Sequence, residues 1–379
     1  MISNINILFV TNKTQLQTMF LIFAKNITMS QFHKLTIKNI HKETNKSVTI
    51  SFDVPQELKE TFVFKAGQYI TLKTTINGNE VRRDYSLCSS PKSGDLKVAV
   101  KEVKDGTFSA YANKQLKTGD VLEVASPKGH FVFEPKETNT RYIAAFAAGS
   151  GITPILSIAK SVLEEEPKSK FILVYGNKTT KDTMFLSQLL ELHHQYKDRF
   201  DIKFVFSQAQ ENDAIFGRIE KSTVNLIVKN EYKHVTIDAF YLCGPEGMIH
   251  TVKDVLEEHH IDKTSIFFEL FKAAKPAEIK ETIEANGETK ITVIVDDEET
   301  TFEMSQKQSV LEAALDEDLD APYSCQGGIC SSCIAKLTEG KVTMRQNNIL
   351  TDSELAEGLI LTCQAHPTTS TIVVDYDDV

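Results

Sequence analysis

Between residues 31 and 135 the apolar positions come in short runs at Ser47–Phe52, Tyr69–Thr74, Leu96–Val103 and Val121–Ala125, separated by Gly, Pro and Asn. Near alternation over five to eight residues, closed by turn formers, predicts strands with one buried face. A succession of such strands predicts a small antiparallel β-barrel. From Arg141 the rhythm changes to apolar strands, Tyr142–Ala147, Phe171–Tyr175, Ile202–Ser207 and Ala239–Cys243, interleaved with helical spacing at Ile155–Glu165, Thr183–His194 and Met248–His259. Alternating elements with nearly continuous apolar strands predict an α/β domain with a doubly wound parallel sheet over residues 141–271. The charged, Ala-rich stretch 272–288 interrupts both patterns and reads as a linker. A third unit, residues 289–379, follows. Its strands Ile291–Val295 and Thr300–Glu303 precede the helix Ser309–Asp316 and a loop rich in Gly, Ser and Cys at Ser324–Ser332.

The segment Leu16–Ala24 has the apolar look of a signal-peptide core, yet its run is short, interrupted, and lacks a clear cleavage site. Residues 1–28 therefore read as an extension outside the fold, with translation expected to start at Met29. No run of eighteen apolar residues occurs, which excludes a membrane-spanning helix. The net charge of −10 is unevenly spread: residues 289–379 carry 17 Asp and Glu against 5 Lys and Arg, so the rest is nearly neutral. An acidic module does not neutralise phosphates, which argues against a nucleic-acid partner and favours a basic protein surface. The same carboxylates would also serve simply to keep a small domain in solution.

Four of the six cysteines fall at Cys325, Cys330, Cys333 and Cys363. Such clustering disfavours a disulfide framework and points to a reducing, cytoplasmic setting. Three thiolates at spacings of five and three, with a fourth thirty residues on, match a plant-type 2Fe-2S cluster. One short loop wraps a cluster only if it is tight and free of bulk, and Gln326-Gly327-Gly328 and Ser331-Ser332 supply that freedom. Zinc is the competing ligand, although zinc sites more often arrange their thiolates as two separated pairs. Cys88 reads as a small apolar filler, and Cys243 as either structural or close to a bound nucleotide.

Three further stretches carry chemistry. Arg83-Asp84-Tyr85-Ser86 joins a pyrophosphate clamp, a stacking ring and a hydroxyl able to reach an electron-accepting ring nitrogen. Gly106-Thr107-Phe108-Ser109 offers backbone amides, a hydroxyl and a helix start to an anion. Gly149-Ser150-Gly151-Ile152-Thr153-Pro154 and Cys243-Gly244-Pro245-Glu246-Gly247-Met248 each follow a strand and open a helix, where a parallel sheet presents amides to a dinucleotide. Either turn alone is as well explained by structural glycines, but two on adjacent strands strengthen the binding reading.

Taken together, RRDYSLCSSP, AAGSGITPILS, YLCGPEGM and PYSCQGGICSSC resemble the ferredoxin–NADP reductase superfamily joined to a C-terminal plant-type ferredoxin domain. The resemblance runs from about Gln31 to Val379. It implies an FAD-binding barrel, an NAD(P)-binding α/β domain and an α+β ferredoxin domain of β-grasp form. Carried over residue by residue, it implies that Arg83 binds the FAD pyrophosphate, Tyr85 packs on the flavin and Ser86 lies near its hydride-accepting nitrogen. Gly106 and Ser109 would touch the FAD phosphates. Gly149, Gly151, Thr153, Cys243, Gly244, Pro245 and Glu246 would frame the nicotinamide nucleotide, and Glu269 would approach the flavin. The strand ending near Ser207 is followed by Gln208 rather than a basic residue, so Lys178 and Arg218 are the candidates for a 2′-phosphate. NADPH is favoured on resemblance, with NADH possible.

The resemblance also implies a protein partner, an oxygenase component, the wording being most similar to reductases that serve di-iron enzymes epoxidising phenylacetyl-coenzyme A. A reductase of another oxygenase or hydroxylase, or a general ferredoxin reductase, is the enzymatic alternative. An iron–sulfur carrier or redox sensor is the non-catalytic one, and it would have no use for the flavin and nucleotide turns.

Overall fold

The computed structural model describes residues 32–271 and 287–379. The extension, the start at Met29 and nearly all of the linker lie outside them.

The first body is an antiparallel barrel of β1 (Phe32–Thr44), β2 (Ser47–Asp53), β3 (Tyr69–Ile76), β4 (Asn79–Ser86), β5 (Leu96–Lys101) and β6 (Val121–Ala125). Its strand order is β4-β3-β6-β1-β2-β5, and a bridge between Leu87 and Val98 brings the end of β4 against β5. Leu35, Ile50, Ile70, Leu72, Val98 and Val124 fill the interior, as the alternation predicts. Asn77-Gly78, both at positive φ, form a two-residue hairpin between β3 and β4. That turn pins the register, pairing Leu72 with Arg83 and Thr71 with Asp84. The helix α1 (Thr107–Lys114) buries Phe108 and Ala112 against the barrel.

The second body has β7 (Tyr142–Ala148), α2 (Ile152–Glu165), β8 (Lys170–Asn177), α3 (Leu186–Gln195), β9 (Phe200–Phe206), β10 (Ala214–Phe216), α4 (Lys221–Asn225), β11 (Ala239–Gly244), α5 (Glu246–Glu258) and β12 (Ile266–Leu270). All six strands run parallel in the order β10-β9-β8-β7-β11-β12. The chain moves outward from β7 on one side and returns to β11 on the other. The topological switch point therefore lies between β7 and β11, where open α/β sheets bind ligands. The short edge strands β10 and β12 are not evident from periodicity, because three to five residues are too few to establish one.

The third body is a mixed sheet of order β14-β13-β19-β15-β17, built from β13 (Glu288–Val295), β14 (Glu298–Ser305), β15 (Ile334–Glu339), β17 (Leu359–Leu361) and β19 (Thr371–Asp375). β13 and β19 are parallel at its centre, the β-grasp arrangement. β16 (Val342–Met344) pairs with β18 (Ala365–Pro367), and α7 (Asp352–Ala356) precedes β17. The helix α6 (Val310–Asp316) starts in a reciprocal cap between Ser309 and Glu312 and buries Val310, Leu311 and Ala314 on the sheet. β13 begins at Glu288, so the strand takes the last residue of the expected linker. Among the described residues no helix is long and apolar enough to cross a membrane.

Candidate electron-transfer site

The two glycine turns meet at the switch point. β7 and β11 are adjacent, and a Cβ on Gly151 would lie 2.1 Å from the carbonyl oxygen of Cys243. Only glycine allows so close an approach, and the two turns thus form one surface. The Tyr175 hydroxyl donates to the Gly149 carbonyl at 2.9 Å, bracing the first turn from β8. Thr153 is buried and donates to the Ser150 carbonyl at 3.0 Å. Pro245 caps α5, whose first turn carries Glu246.

Beside this surface, β12 pairs with β11 so that Glu269 sits opposite Cys243. Ser86, at the end of β4, reaches across from the barrel and donates to Glu269 Oε2 at 3.1 Å. Residues 183 positions apart are thereby joined. Burial drives the Glu269 carboxyl up to about 8, against the opposing Ser86 hydrogen bond, so it holds a proton at neutral pH. Burial, with Glu269 alongside, pushes the Cys243 thiol well above its usual range, so it is neutral too. Tyr85 lies against Phe108 with ring centroids 5.4 Å apart, and Arg83 remains exposed next to it in space along the same strand.

Gly106 precedes α1, and the Ser109 hydroxyl accepts from the Val103 amide at 3.2 Å. A cavity of about 630 Å³ opens here, lined by Lys46, Asn77, Lys104, Gly106, Thr107 and Tyr111 among others. A helix start and three lysines, Lys46, Lys104 and Lys114, the last paired with Glu102, give this cavity the donors and positive charge that phosphates of FAD would meet, with Asp105 as the remaining carboxylate.

Lys178 and Arg218 are both exposed at the carboxyl edge of the parallel sheet, after β8 and β10. Ile219 packs on Gly176, drawing the Arg218 segment over the end of β8. Asn177, the last residue of β8, is buried with neither side-chain nitrogen nor oxygen partnered, a polar group a bound nucleotide would satisfy. Asn177 escaped the sequence reading, as did Lys101. The Lys101 amine approaches Gly149 from β5 and its pKa is lowered by burial. Neither belongs to a recognisable spacing; a lysine closing a strand just ahead of Gly106 is the only hint.

The four cysteines converge two by two. The Cys330 thiol donates to Cys325 Sγ at 3.0 Å, and Cys333 donates to Cys363. Within each pair one sulfur is held toward the thiolate, Cys325 and Cys363, by the hydrogen bond it receives from its neighbour. The Gly327 amide also points at Cys325 Sγ, at 3.3 Å. The loop turns through Gly328 at φ 68°, where a Cβ would press on Gln364 and the Gln346 carbonyl. Two facing pairs are what two irons bridged by two sulfides require, so the donor set fits a 2Fe-2S cluster.

The cysteine loop lies directly beside Glu269. A second cavity, of about 200 Å³, is shared by Tyr69 and Phe131 of the barrel, Phe268 and Glu269 of β12, and Cys330 and Ser331 of the loop.

Comparison with known proteins matches this arrangement part by part. Residues 34–133 match an oxidoreductase FAD-binding domain, residues 146–254 an oxidoreductase NAD-binding domain, and residues 293–368 a 2Fe-2S iron-sulfur cluster binding domain. One of the polypeptides of the 1,2-phenylacetyl-CoA epoxidase of Escherichia coli K12 is 38% identical over 92% of this chain and 99% of its own. The chain belongs to the ferredoxin–NADP reductase superfamily, in the branch with a C-terminal 2Fe-2S domain. Within the superfamily it is also 32% identical, over 90% of its length and 96% of the relative, to the ferredoxin reductase component of 3-ketosteroid-9-alpha-monooxygenase from Rhodococcus rhodochrous. Phthalate dioxygenase reductase shares the architecture, with a TM-score of 0.57 and 25% identity over 91% of this chain and 98% of that one. The reductase thus carries FAD, a nicotinamide nucleotide and a 2Fe-2S cluster as its working groups.

Proposed function

We propose that this reductase takes hydride from NADPH and delivers single electrons to an oxygenase component, a di-iron enzyme that epoxidises phenylacetyl-coenzyme A, in the cytoplasm. The convergence of Ser86, Cys243 and Glu269 at the switch point, next to the paired cysteines, carries the reading. When bound, FAD accepts two electrons as hydride and the cluster carries them onward one at a time.

In this reading Arg83, Gly106 and Ser109 hold the FAD phosphates, and Tyr85 packs on the ring. Ser86 orients the reacting edge, while Glu269 keeps a proton at its carboxyl. Gly149, Gly151 and Thr153 on one turn, with Cys243, Gly244, Pro245 and Glu246 on the other, receive the nicotinamide nucleotide. Lys178 and Arg218 supply positive charge to a 2′-phosphate, and Lys101 approaches from the barrel side. Cys325, Cys330, Cys333 and Cys363 ligate the irons in the pairs described.

The phenylacetyl-coenzyme A acceptor rests on the 38% identical relative. The ketosteroid monooxygenase relative keeps another oxygenase as the second reading. The test is anaerobic mixing of purified protein with NADPH or NADH, following flavin bleaching and the cluster's paramagnetic signal, then adding candidate oxygenases. Rapid bleaching by NADPH, a cluster signal and turnover with the phenylacetyl-coenzyme A oxygenase are expected. Preference for NADH would remove the role given to Lys178 and Arg218, and turnover only with a different oxygenase would move the acceptor.

A further inference from the structure

Strand β4 has two working faces. Arg83 and Tyr85 share one, the face assigned above to the FAD pyrophosphate and the packing on its ring. Arg82, Asp84 and, at the strand's end, Ser86 point the other way, together with Thr71 and Tyr69 of the paired strand β3, because side chains alternate along strands and directly paired residues share a face. This second face is packed against the ferredoxin domain.

Its contacts are polar and specific. The Tyr69 hydroxyl shares hydrogen bonds with Ser331 Oγ at 2.7 Å and Ser332 Oγ at 3.2 Å. Asp84 accepts from Thr71 Oγ1 at 2.6 Å and from Ser332 Oγ at 3.0 Å. Arg82 donates to Asp320 at 2.9 Å and to Glu80 at 2.7 Å, with its guanidinium 4.8 Å from the centre of the Tyr323 ring. The Arg82 side chain is only 7% exposed, whereas Asp320 is 67% exposed. Burying a carboxylate and a guanidinium is costly unless partners meet them, and here half of those partners belong to the other domain.

Ser331 and Ser332 are the two residues between Cys330 and Cys333. Holding their hydroxyls against β3 and β4 fixes the cysteine loop to the strand pair that carries Arg83, Tyr85 and Ser86. Electron transfer slows steeply with separation, so the contact that fixes this distance sets the internal rate. We propose that Arg82 and Asp84, with Tyr69, form a docking latch that positions the ferredoxin domain for transfer from flavin to cluster. The latch rests on the electron-transfer reading above and adds to it a second role for the strand that carries the flavin residues.

The Arg82–Asp320 pair allows a reciprocal test in the full-length holoprotein. Asp320→Arg, Arg82→Glu and the double variant are each mixed anaerobically with NADPH, and the rates of flavin bleaching and cluster reduction are read separately. Asp320→Arg places like charges together on an exposed site that does not threaten folding, and is expected to slow cluster reduction about tenfold while bleaching stays within about twofold of wild type. Arg82→Glu behaves likewise, and the double variant regains most of the loss. Cluster reduction at the wild-type rate in Asp320→Arg overturns the latch and leaves the reductase reading intact. If Arg82→Glu does not fold, Asp320→Arg decides alone. Wild-type protein whose flavin neither nucleotide bleaches overturns the reading beneath the latch instead.

Discussion

The proposed cluster site and the proposed hydride site lie side by side, yet they are built in opposite ways. Three of the four cysteines occupy one nine-residue loop, and their chemistry depends on a tight turn and little else. The hydride site draws Ser86 from a barrel strand, Cys243 from a central strand of the second body and Glu269 from its edge strand. None of these three is unusual where it stands in the chain. Only the switch-point topology and the packing of barrel on sheet make a desolvated, protonated carboxyl out of Glu269. A site made of strong ligands tolerates a loose scaffold, whereas a site made of ordinary groups depends on the scaffold for its chemistry.

The largest effect expected from this contrast is on the cysteine loop. Cys333→Ser should abolish the cluster's paramagnetic signal and the reduction of one-electron protein acceptors, while the flavin still bleaches with NADPH. Loss of flavin bleaching as well would mean that the two sites are less separable than their construction implies. Next is Glu269→Gln, which keeps the shape and removes the titrating proton. It should slow bleaching by roughly 10²-fold, as removal of a positioned acid–base group does. The same substitution bears on stability. The folded carboxyl binds its proton up to about pH 8, whereas the unfolded one releases it near 4.5, so the folded state holds more protons in between. Stability of the cofactor-free protein should therefore fall as pH rises through that window, and Glu269→Gln should flatten the fall in denaturant titrations.

A smaller effect is expected where the two turns touch. Gly151→Ala places a methyl group 2.1 Å from the Cys243 carbonyl, and the turns must part to admit it. A loss of about 1–3 kcal/mol of stability and a raised KM for the nucleotide should follow, with the cluster signal unchanged. Smallest is Arg218→Ala, an exposed charge, which should lower the preference for NADPH over NADH about fivefold in kcat/KM. An unchanged ratio would leave Lys178 or Lys101 to supply the charge.

By itself the sequence determined the three-part architecture and singled out the four cysteines proposed as cluster ligands. Alternation over Ser47–Phe52 and Val121–Ala125, apolar runs at Tyr142–Ala147 and Ala239–Cys243, and the cysteine spacing are local signals, each legible within a short stretch of chain. Arg83, Tyr85, Ser86 and the glycine turns were legible as chemistry, but their partners were not. Asn177 was hidden because an asparagine after a strand looks like an ordinary turn former, and its unsatisfied amide arises only from burial. Lys101, Tyr69, Asp84 and the short strand β12 likewise acquire meaning from neighbours far away in the chain. The tertiary structure alone decided which side of β4 meets the cysteine loop and which carboxyl holds a proton. The physical reason is that desolvation and cross-domain hydrogen bonds are properties of the packed chain, whereas period, turn chemistry and ligand spacing are properties of its local order.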